Sequence, residues 1–353
     1  MTMSRPDSVA TASLPMDEAK LSAWMSACVE GFRGPLAVNR LAGGQSNPTY
    51  RLTTPACDYV LRRKPLGDLA SGAHAVDREA RVMRALAEHG YPVPRIHALC
   101  TDESVIGSWF YVMDFVEGRV FWNSRFENVA ADERPLYFDA MNSTLALLHS
   151  FDPAALGLSD FGKQGNYFQR QIGRWSRQYE ADAPIAGRDA AMDHLLKWLP
   201  ANIPLTDEVR LIHGDYRADN MVFHPTEPRV IAVLDWELST LGNPLSDFVN
   251  HAMMYHLPGS ILSGLEGTDL EALNLPSEAA YIGQYCKRTG RTQITGVNFL
   301  LAFALFRLAA IYHGIRARAL RGNASSARAL ELAAAYPMLA TRALAHAHGA
   351  IAK

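Results

Sequence analysis

Apolar and polar positions alternate along this chain in three regimes. Leu21, Trp24, Met25 and Cys28 recur at helical spacing behind a cap near Met16–Asp17, which predicts a first amphipathic helix. Short strand-like runs follow at 36–41, 49–52 and 58–63, and the last places Val60, Arg62 and Lys64 on one face. A helix is predicted over 74–89, with Ala75, Val82, Ala85 and Leu86 on its inner side and Glu79 in its middle. The Pro-containing stretch 91–96 reads as rigid and extended, and 109–115 is a β-prone run that passes into a Gly-containing turn. Beyond it the spacing becomes helical, over 134–150, 167–180 and 189–199, and again over 244–256, 277–289, 293–320 and 325–347. Short apolar strands at 211–212, 221–223 and 230–234 interrupt the helices, and no internal repeat appears. The pattern predicts an α+β protein: a disordered lead-in over 1–15, a sheet-plus-helix lobe over 16–117 and a larger, mainly helical lobe over 118–353.

Composition narrows the classes. The chain has 353 residues, enough for two lobes, and its 34 Lys plus Arg nearly balance 36 Asp plus Glu. That balance gives no electrostatic case for nucleic acid or an anionic membrane. Cys28, Cys57, Cys100 and Cys286 lack Cys-x-x-Cys spacing, which argues against a zinc site and fits a reducing cytoplasm. The lead-in lacks the apolar core of a signal peptide, and 299–312, interrupted by Arg307, is expected to be a core helix too short for a membrane span. His313, His346 and His348 lack paired ligand spacing to acids and read as core or surface histidines.

The candidate chemistry lies in Leu-Ile-His-Gly-Asp-Tyr-Arg-Ala-Asp-Asn at 211–220 and in Val-Leu-Asp-Trp-Glu at 233–237. Each is a short strand running into an acid-bearing turn. Either alone is ordinary turn chemistry at a strand end. Together, in this order, they match a phosphoryl-transfer template: a catalytic-loop Asp, an Asn five positions on, and a later Asp on Mg²⁺. Asp215 would orient and deprotonate an attacking hydroxyl, while Asn220 and Asp235 would offer oxygen ligands to the metal.

Three other stretches fit a nucleotide. Gly43, Gly44, Gln45, Ser46 and Asn47 form a small-residue turn between strands, which could let backbone N–H groups approach phosphates or be a plain hairpin. Arg62 stands where the template has a phosphate-binding lysine, with Arg63 and Lys64 adjacent, and Glu79 could hold it; a solvated charge run is the competing reading. Met113, Asp114, Phe115 and Val116 are placed as a hinge whose backbone would meet adenine. Protein kinases have Arg where this chain has Gly214, and a long segment after the metal-binding Asp. Here a helix starts by Pro244, so a small-molecule acceptor is expected.

These residues resemble the aminoglycoside phosphotransferase/choline kinase superfamily, most closely the kinase-like module of acyl-CoA dehydrogenase fusion proteins. The likeness rests on Gly43-Gly-Gln-Ser-Asn-Pro-Thr-Tyr, Tyr59-Val-Leu-Arg-Arg-Lys-Pro, His74-Ala-Val-Asp-Arg-Glu-Ala-Arg-Val-Met, Phe110-Tyr-Val-Met-Asp-Phe-Val-Glu-Gly-Arg, His213-Gly-Asp-Tyr-Arg-Ala-Asp-Asn and Leu234-Asp-Trp-Glu-Leu-Ser-Thr-Leu-Gly-Asn-Pro. It implies a bilobal protein-kinase-like fold, ATP with Mg²⁺, and Asp215, Asn220, Asp235 and Glu79 in the roles above, with Asp247 structural. It further implies a hydroxyl acceptor such as a hydroxyacyl-CoA or hydroxy acid. Arg288, Arg291, Arg307, Arg316, Arg318 and Arg321 suit an anionic acceptor, and Tyr167, Arg170, Arg174 and Trp175 are candidate contacts to it. A non-catalytic nucleotide- or CoA-binding module and an aminoglycoside kinase stay open as alternatives, as does oligomeric state. An acyl-CoA dehydrogenase is disfavoured, since no Gly-x-Gly-x-x-Gly opens a helix after a strand.

Overall fold

A computed structural model of the chain describes residues 16–41, 47–65, 75–205, 208–322 and 329–349. The loop residues Gly43, Gly44, Gln45 and Ser46 lie outside them. The chain forms two compact units. The first runs to Val120 and takes in Leu156–Leu158 and Asp219–Ser239; the second comprises Phe121–Ala155, Ser159–Ala218 and the chain from Thr240. A single cut at 117/118 is expected from the pattern, whereas the segment 219–239 returns to the first unit. The reason is backbone pairing: Arg119 and Phe223 exchange N–H···O bonds of 2.8 Å, and Val233 N donates to Pro92 O at 2.8 Å. Gly118 permits the approach, because a Cβ there would stand 2.3 Å from Phe223 O.

In the first unit α1 (Glu18–Cys28) is capped by Asp17, whose carboxylate accepts from Lys20 N at 3.0 Å. Strands β1 (Ala37–Arg40), β2 (Thr49–Thr53), β3 (Asp58–Arg63), β4 (Ile96–Cys100) and β5 (Phe110–Asp114) form an antiparallel sheet in the order β1-β2-β3-β5-β4. Helix α2 (Val76–Glu88) packs against β4 and β5, and α3 (Glu103–Ile106) is a single turn. Period-2 alternation decides what each face carries. Tyr59, Leu61, Phe110 and Val112 join Leu21, Met25 and Val29 of the α1 side in one apolar core, and Cys28 is exposed where Val29 is buried. Arg63 is buried and turns to Ser108 and the Ile106 carbonyl, at 2.9 and 2.8 Å. Arg62, one residue earlier, takes the opposite face with its cross-strand partner Tyr111. The hairpin β7 (Met221–Phe223) and β8 (Val230–Val233) completes this unit.

The second unit is helical: α4 (Arg134–Ser150), α5 (Tyr167–Ala186), α6 (Ala190–Ala201), α7 (Pro244–Ala252), α8 (Glu278–Arg288), α9 (Val297–Leu320), α10 (Ala329–Ala333) and α11 (Tyr336–Ala347), with β6 (Arg210–Ile212) paired to β9 (Thr240–Gly242). Helix α9 is the core, packed by α5, α11, α10 and α7. At 24 residues it is long and apolar enough to cross a membrane by length and composition, which overturns the expectation of a shorter segment. Its most apolar window is 78% buried by the rest of the protein, as for a core helix. The fold is the α+β, protein-kinase-like architecture expected, with an antiparallel sheet in the N-terminal part and helices in the C-terminal part.

Candidate active site

In the first unit one guanidinium gathers three carboxylates. Arg62 Nε lies 3.1 Å from Glu79 Oε2, and its Nη2 lies 2.6 Å from Asp235 Oδ1 and 3.2 Å from Glu237 Oε2. Burial alone would lower the Arg62 pKa, but Tyr111 and the three acids raise it, so the group stays charged. Glu79 is 1% exposed and takes two more hydrogen bonds, from Tyr111 Oη at 3.0 Å and Asn47 Nδ2 at 2.7 Å. Its burial pushes the carboxyl up to about 7, in spite of Arg62 and the Tyr111 hydroxyl. Burial also holds the Tyr111 phenol well above its ordinary value, so it remains a donor. The adjacent cation Arg63 is engaged elsewhere, so Arg62 is the arginine that meets Glu79.

The candidate metal ligands come together through the β7–β8 hairpin. Asn220 ends a 3₁₀ turn (Ala218–Asn220) directly before β7, and its carbonyl accepts from Leu234 N at 2.8 Å. Asp235 follows with φ 64° and ψ 62°, a left-handed conformation that an aspartate adopts at a cost of about 1–3 kcal/mol and that is found at functional turns. Trp236 holds the strained turn. It is 1% exposed, donates Nε1 to Val233 O at 3.0 Å, and sets its ring edge-on to Tyr91. The Asp235 side chain remains 34% exposed. Among the described residues no cluster of three or more His, Cys, Asp or Glu side chains forms a metal cage.

The expected hinge lies at the end of β5. Met113 is buried opposite Val60, and Asp114 is tied by its N–H to Arg95 O at 3.0 Å and by its carboxylate to His97 Nε2 at 2.6 Å. Phe115 and Val116 are half-buried, and Arg51 stacks over the Phe115 ring at 4.3 Å. Asn47, expected to meet phosphate, braces Glu79 through Nδ2, and its buried Oδ1 has no hydrogen-bond partner among the described residues.

In the second unit the His213-Gly214-Asp215 loop is gripped by buried side chains. Asp247 accepts from His213 N at 2.8 Å, Gly214 N at 2.9 Å and His149 Nε2 at 3.3 Å. Burial would raise its carboxyl, but the His149 hydrogen bond and the His213 N–H outweigh it and hold it below the usual value. His149 in turn accepts at Nδ1 from Tyr285 Oη at 2.7 Å. Asp215 donates its N–H to His213 Nδ1 at 3.2 Å, and its Oδ1 lies 3.2 Å from Arg217 Nε. The side chain is 33% exposed, open enough to meet a substrate.

Three of the six arginines read together as suited to an anionic acceptor are paired with acids. Arg288 pairs with Asp139 at 2.6 Å, Arg291 with Glu208 at 2.6 Å and Arg321 with Asp182 at 2.9 Å, so their charges are neutralised locally. Arg170 donates to the carbonyls of Gly165 and Lys163, and Arg174 stacks on Trp175. Glu237, Tyr111 and His149 are absent from the sequence-level candidates, and Arg307 stands among them only as a cation for an anionic acceptor. The second acid of Asp-Trp-Glu was a visible signal for Glu237; for Tyr111 and His149 nothing local distinguishes them from core residues.

Comparison with known proteins identifies the family. The model of the phosphotransferase enzyme family matches residues 37–281. A crystal structure of a putative aminoglycoside phosphotransferase from Ralstonia eutropha is 49% identical with a TM-score of 0.87, covering 95% of this chain and 99% of that one. Acyl-CoA dehydrogenase family member 11 of Gallus gallus is 43% identical over 337 residues, 93% of this chain and 43% of that protein. The chain thus spans less than half the length of that relative. Aminoglycoside phosphotransferase APH(4)-Ia, solved with AMP-PNP and hygromycin B, shares the fold at 15% identity and a TM-score of 0.61, covering 91% of this chain and 97% of that one. The family match over more than half of the chain, on a protein-kinase-like fold with acids at the expected turns, makes this chain a member of the phosphotransferase enzyme family.

Proposed function

We propose that the protein transfers the γ-phosphoryl group of ATP, with Mg²⁺, to a hydroxyl of a small anionic acceptor, a hydroxyacyl-CoA or hydroxy acid. The observation that carries the reading is the cluster around Arg62: the carboxylates of Glu79, Asp235 and Glu237 converge on one guanidinium. A carboxylate-rich site with an aspartate a third exposed fits a divalent cation. Mg²⁺ is bound by one or two carboxylates plus phosphates and water rather than by an all-protein cage, which suits this donor set. Asp235 and Asn220 would hold it, and it would neutralise charge on the transferring phosphoryl group.

Arg62 would bind phosphate oxygens, kept in place by Glu79, which Asn47 and Tyr111 brace in turn. Asp215 would accept the proton of the acceptor hydroxyl as its oxygen bonds to phosphorus and ADP leaves. The acyl-CoA side of the proposal is supported by the names of the longer relatives, acyl-CoA dehydrogenase family members 10 and 11, and the module matched here is the part they share with this chain. The name of the Ralstonia relative supports an aminoglycoside acceptor instead.

The deciding experiment is ADP release from Mg-ATP against 3- and 4-hydroxyacyl-CoAs, free hydroxy acids, choline and kanamycin, with Asp215→Ala as control. Turnover on the hydroxyacyl class that falls by about 10²–10⁴ in the variant is the expected result. Turnover on kanamycin alone would overturn the acceptor. ATP binding with no turnover on any acceptor would favour a binding module.

A further inference from the structure

Arg307 is the only charged side chain between Val297 and Ile315, in the core helix α9. Arg307 is half-buried, and drawing a guanidinium even partly out of water beside an apolar helix is costly unless its donors are used. Its Nη2 donates to the Gly214 carbonyl at 2.9 Å and its Nη1 to Asn250 Oδ1 at 3.3 Å. Among the described residues it has no carboxylate partner. The cation is therefore spent on one backbone oxygen, the one directly before Asp215.

That oxygen belongs to a peptide with unusual freedom. Gly214 has φ 83°, in the left-handed region, and a glycine there can exchange between backbone states that other residues resist. Rotating the Gly214–Asp215 peptide plane would re-aim the Asp215 side chain. Two side chains oppose that rotation from the two ends of the plane. Arg307 holds its carbonyl oxygen, and His213 Nδ1 accepts its N–H at 3.2 Å. Asp247 acts on the two preceding peptides, through the N–H groups of His213 and Gly214. Without Arg307 the carbonyl end of the plane would lose its charged partner.

We propose that Arg307 is a positioning residue that locks the Gly214–Asp215 peptide plane and so fixes the direction of the Asp215 carboxylate. The proposal rests on Asp215 being the base of the phosphotransfer described above, but the peptide lock can be read without turnover. Arg is suited to this because its fork satisfies Gly214 O and Asn250 Oδ1 together, whereas Lys offers a point charge.

The test compares Arg307→Met, Arg307→Lys and Asn250→Ala with the unaltered protein. Amide hydrogen exchange is followed at Asp215, and ADP release is followed with whichever acceptor of the panel turns over. Arg307→Met should speed Asp215 exchange about tenfold, with peptides of 299–306 unchanged, and lower kcat about 10- to 100-fold at an ATP KM within about threefold. Arg307→Lys should recover part of both, and Asn250→Ala, which leaves the Gly214 bond, should change them least. In an Asp215→Ala background Arg307→Met should cost nothing more, because the two act as one unit. Unchanged Asp215 exchange in Arg307→Met would overturn the lock whatever the kinetics. So would an Arg307→Met loss that multiplies fully with that of Asp215→Ala, since this marks general structural damage. An active Asp215→Ala would overturn the phosphotransfer reading instead, while the exchange result would still decide the lock.

Discussion

The charge cluster of the first unit and the catalytic-loop anchor of the second use the same residue types to opposite ends. Around Arg62 three acids converge on one guanidinium, Asp235 is a third exposed and strained, and Asn47 Oδ1 stays unpartnered among the described residues. Around Asp247 one carboxylate, itself 1% exposed, is matched by three donors, one of which, His149, is held in turn by Tyr285. A group meant to exchange partners with a ligand is left short of them; a group meant to hold a loop is satisfied completely. The contrast predicts binding defects from the first region and folding defects from the second.

The sharpest break is at the anchor. Asp247→Ala strips the acceptor from two buried N–H groups and should cost about 3–5 kcal/mol of stability, read as a large fall in the denaturation midpoint. A midpoint near that of the unaltered protein would mean the loop is held by something else.

Next is acid. His251 is fully enclosed, donates Nδ1 to Tyr216 O at 3.2 Å and accepts from Tyr281 Oη at 2.7 Å. Burial lowers its pKa from 6.5 to about 4, against the pull of the Tyr216 carbonyl and Asp247. Between about 6.5 and 4 the unfolded chain therefore binds a proton that the folded one refuses. Stability is retained above 6.5 and falls on acidification through this window, by on the order of 3 kcal/mol. His251→Asn should flatten that part of the pH dependence; an equally steep profile would assign it to other groups.

In the binding region Arg62→Ala should lower kcat/KM for ATP by about 10²-fold, or about 2.7 kcal/mol. It should leave the midpoint far closer to normal than Asp247→Ala does, because Glu79, already at about 7, can take up a proton when its cation leaves. A midpoint loss as large as that of the anchor variant would erase the distinction between the regions. The smallest effect is expected from Tyr111→Phe. It removes one donor from Glu79, worth about 1 kcal/mol, and raises that carboxyl further. Since Glu79 must be ionised to hold Arg62, the pH below which the ATP KM rises should move upward; an unshifted profile would remove Glu79 from nucleotide binding.

Much of the fold was legible because it follows from local rules. Period-2 alternation over 58–63 separates Arg62 from Arg63, an Asn-Pro start marks α7 at Pro244, and Asp17 caps α1. The acid-bearing turns could be read for a similar reason, since Asp215, Asn220 and Asp235 stand at fixed short offsets from strand ends. The return of 219–239 to the first unit could not, because it depends on Arg119 and Val233 finding Phe223 and Pro92 across roughly a hundred residues or more of chain.

The sequence by itself thus determined the regimes of sheet and helix, the family and the acids that carry the candidate chemistry, since these are properties of spacing and residue type. Tertiary structure alone decided their partners. Only packing could show that Arg288, Arg291 and Arg321 are neutralised by nearby acids, that Arg62 meets three carboxylates, and that Arg307 is spent on the Gly214 carbonyl. A side chain's charge is written in the sequence, but whether that charge is already matched depends on groups that folding brings within about 4 Å.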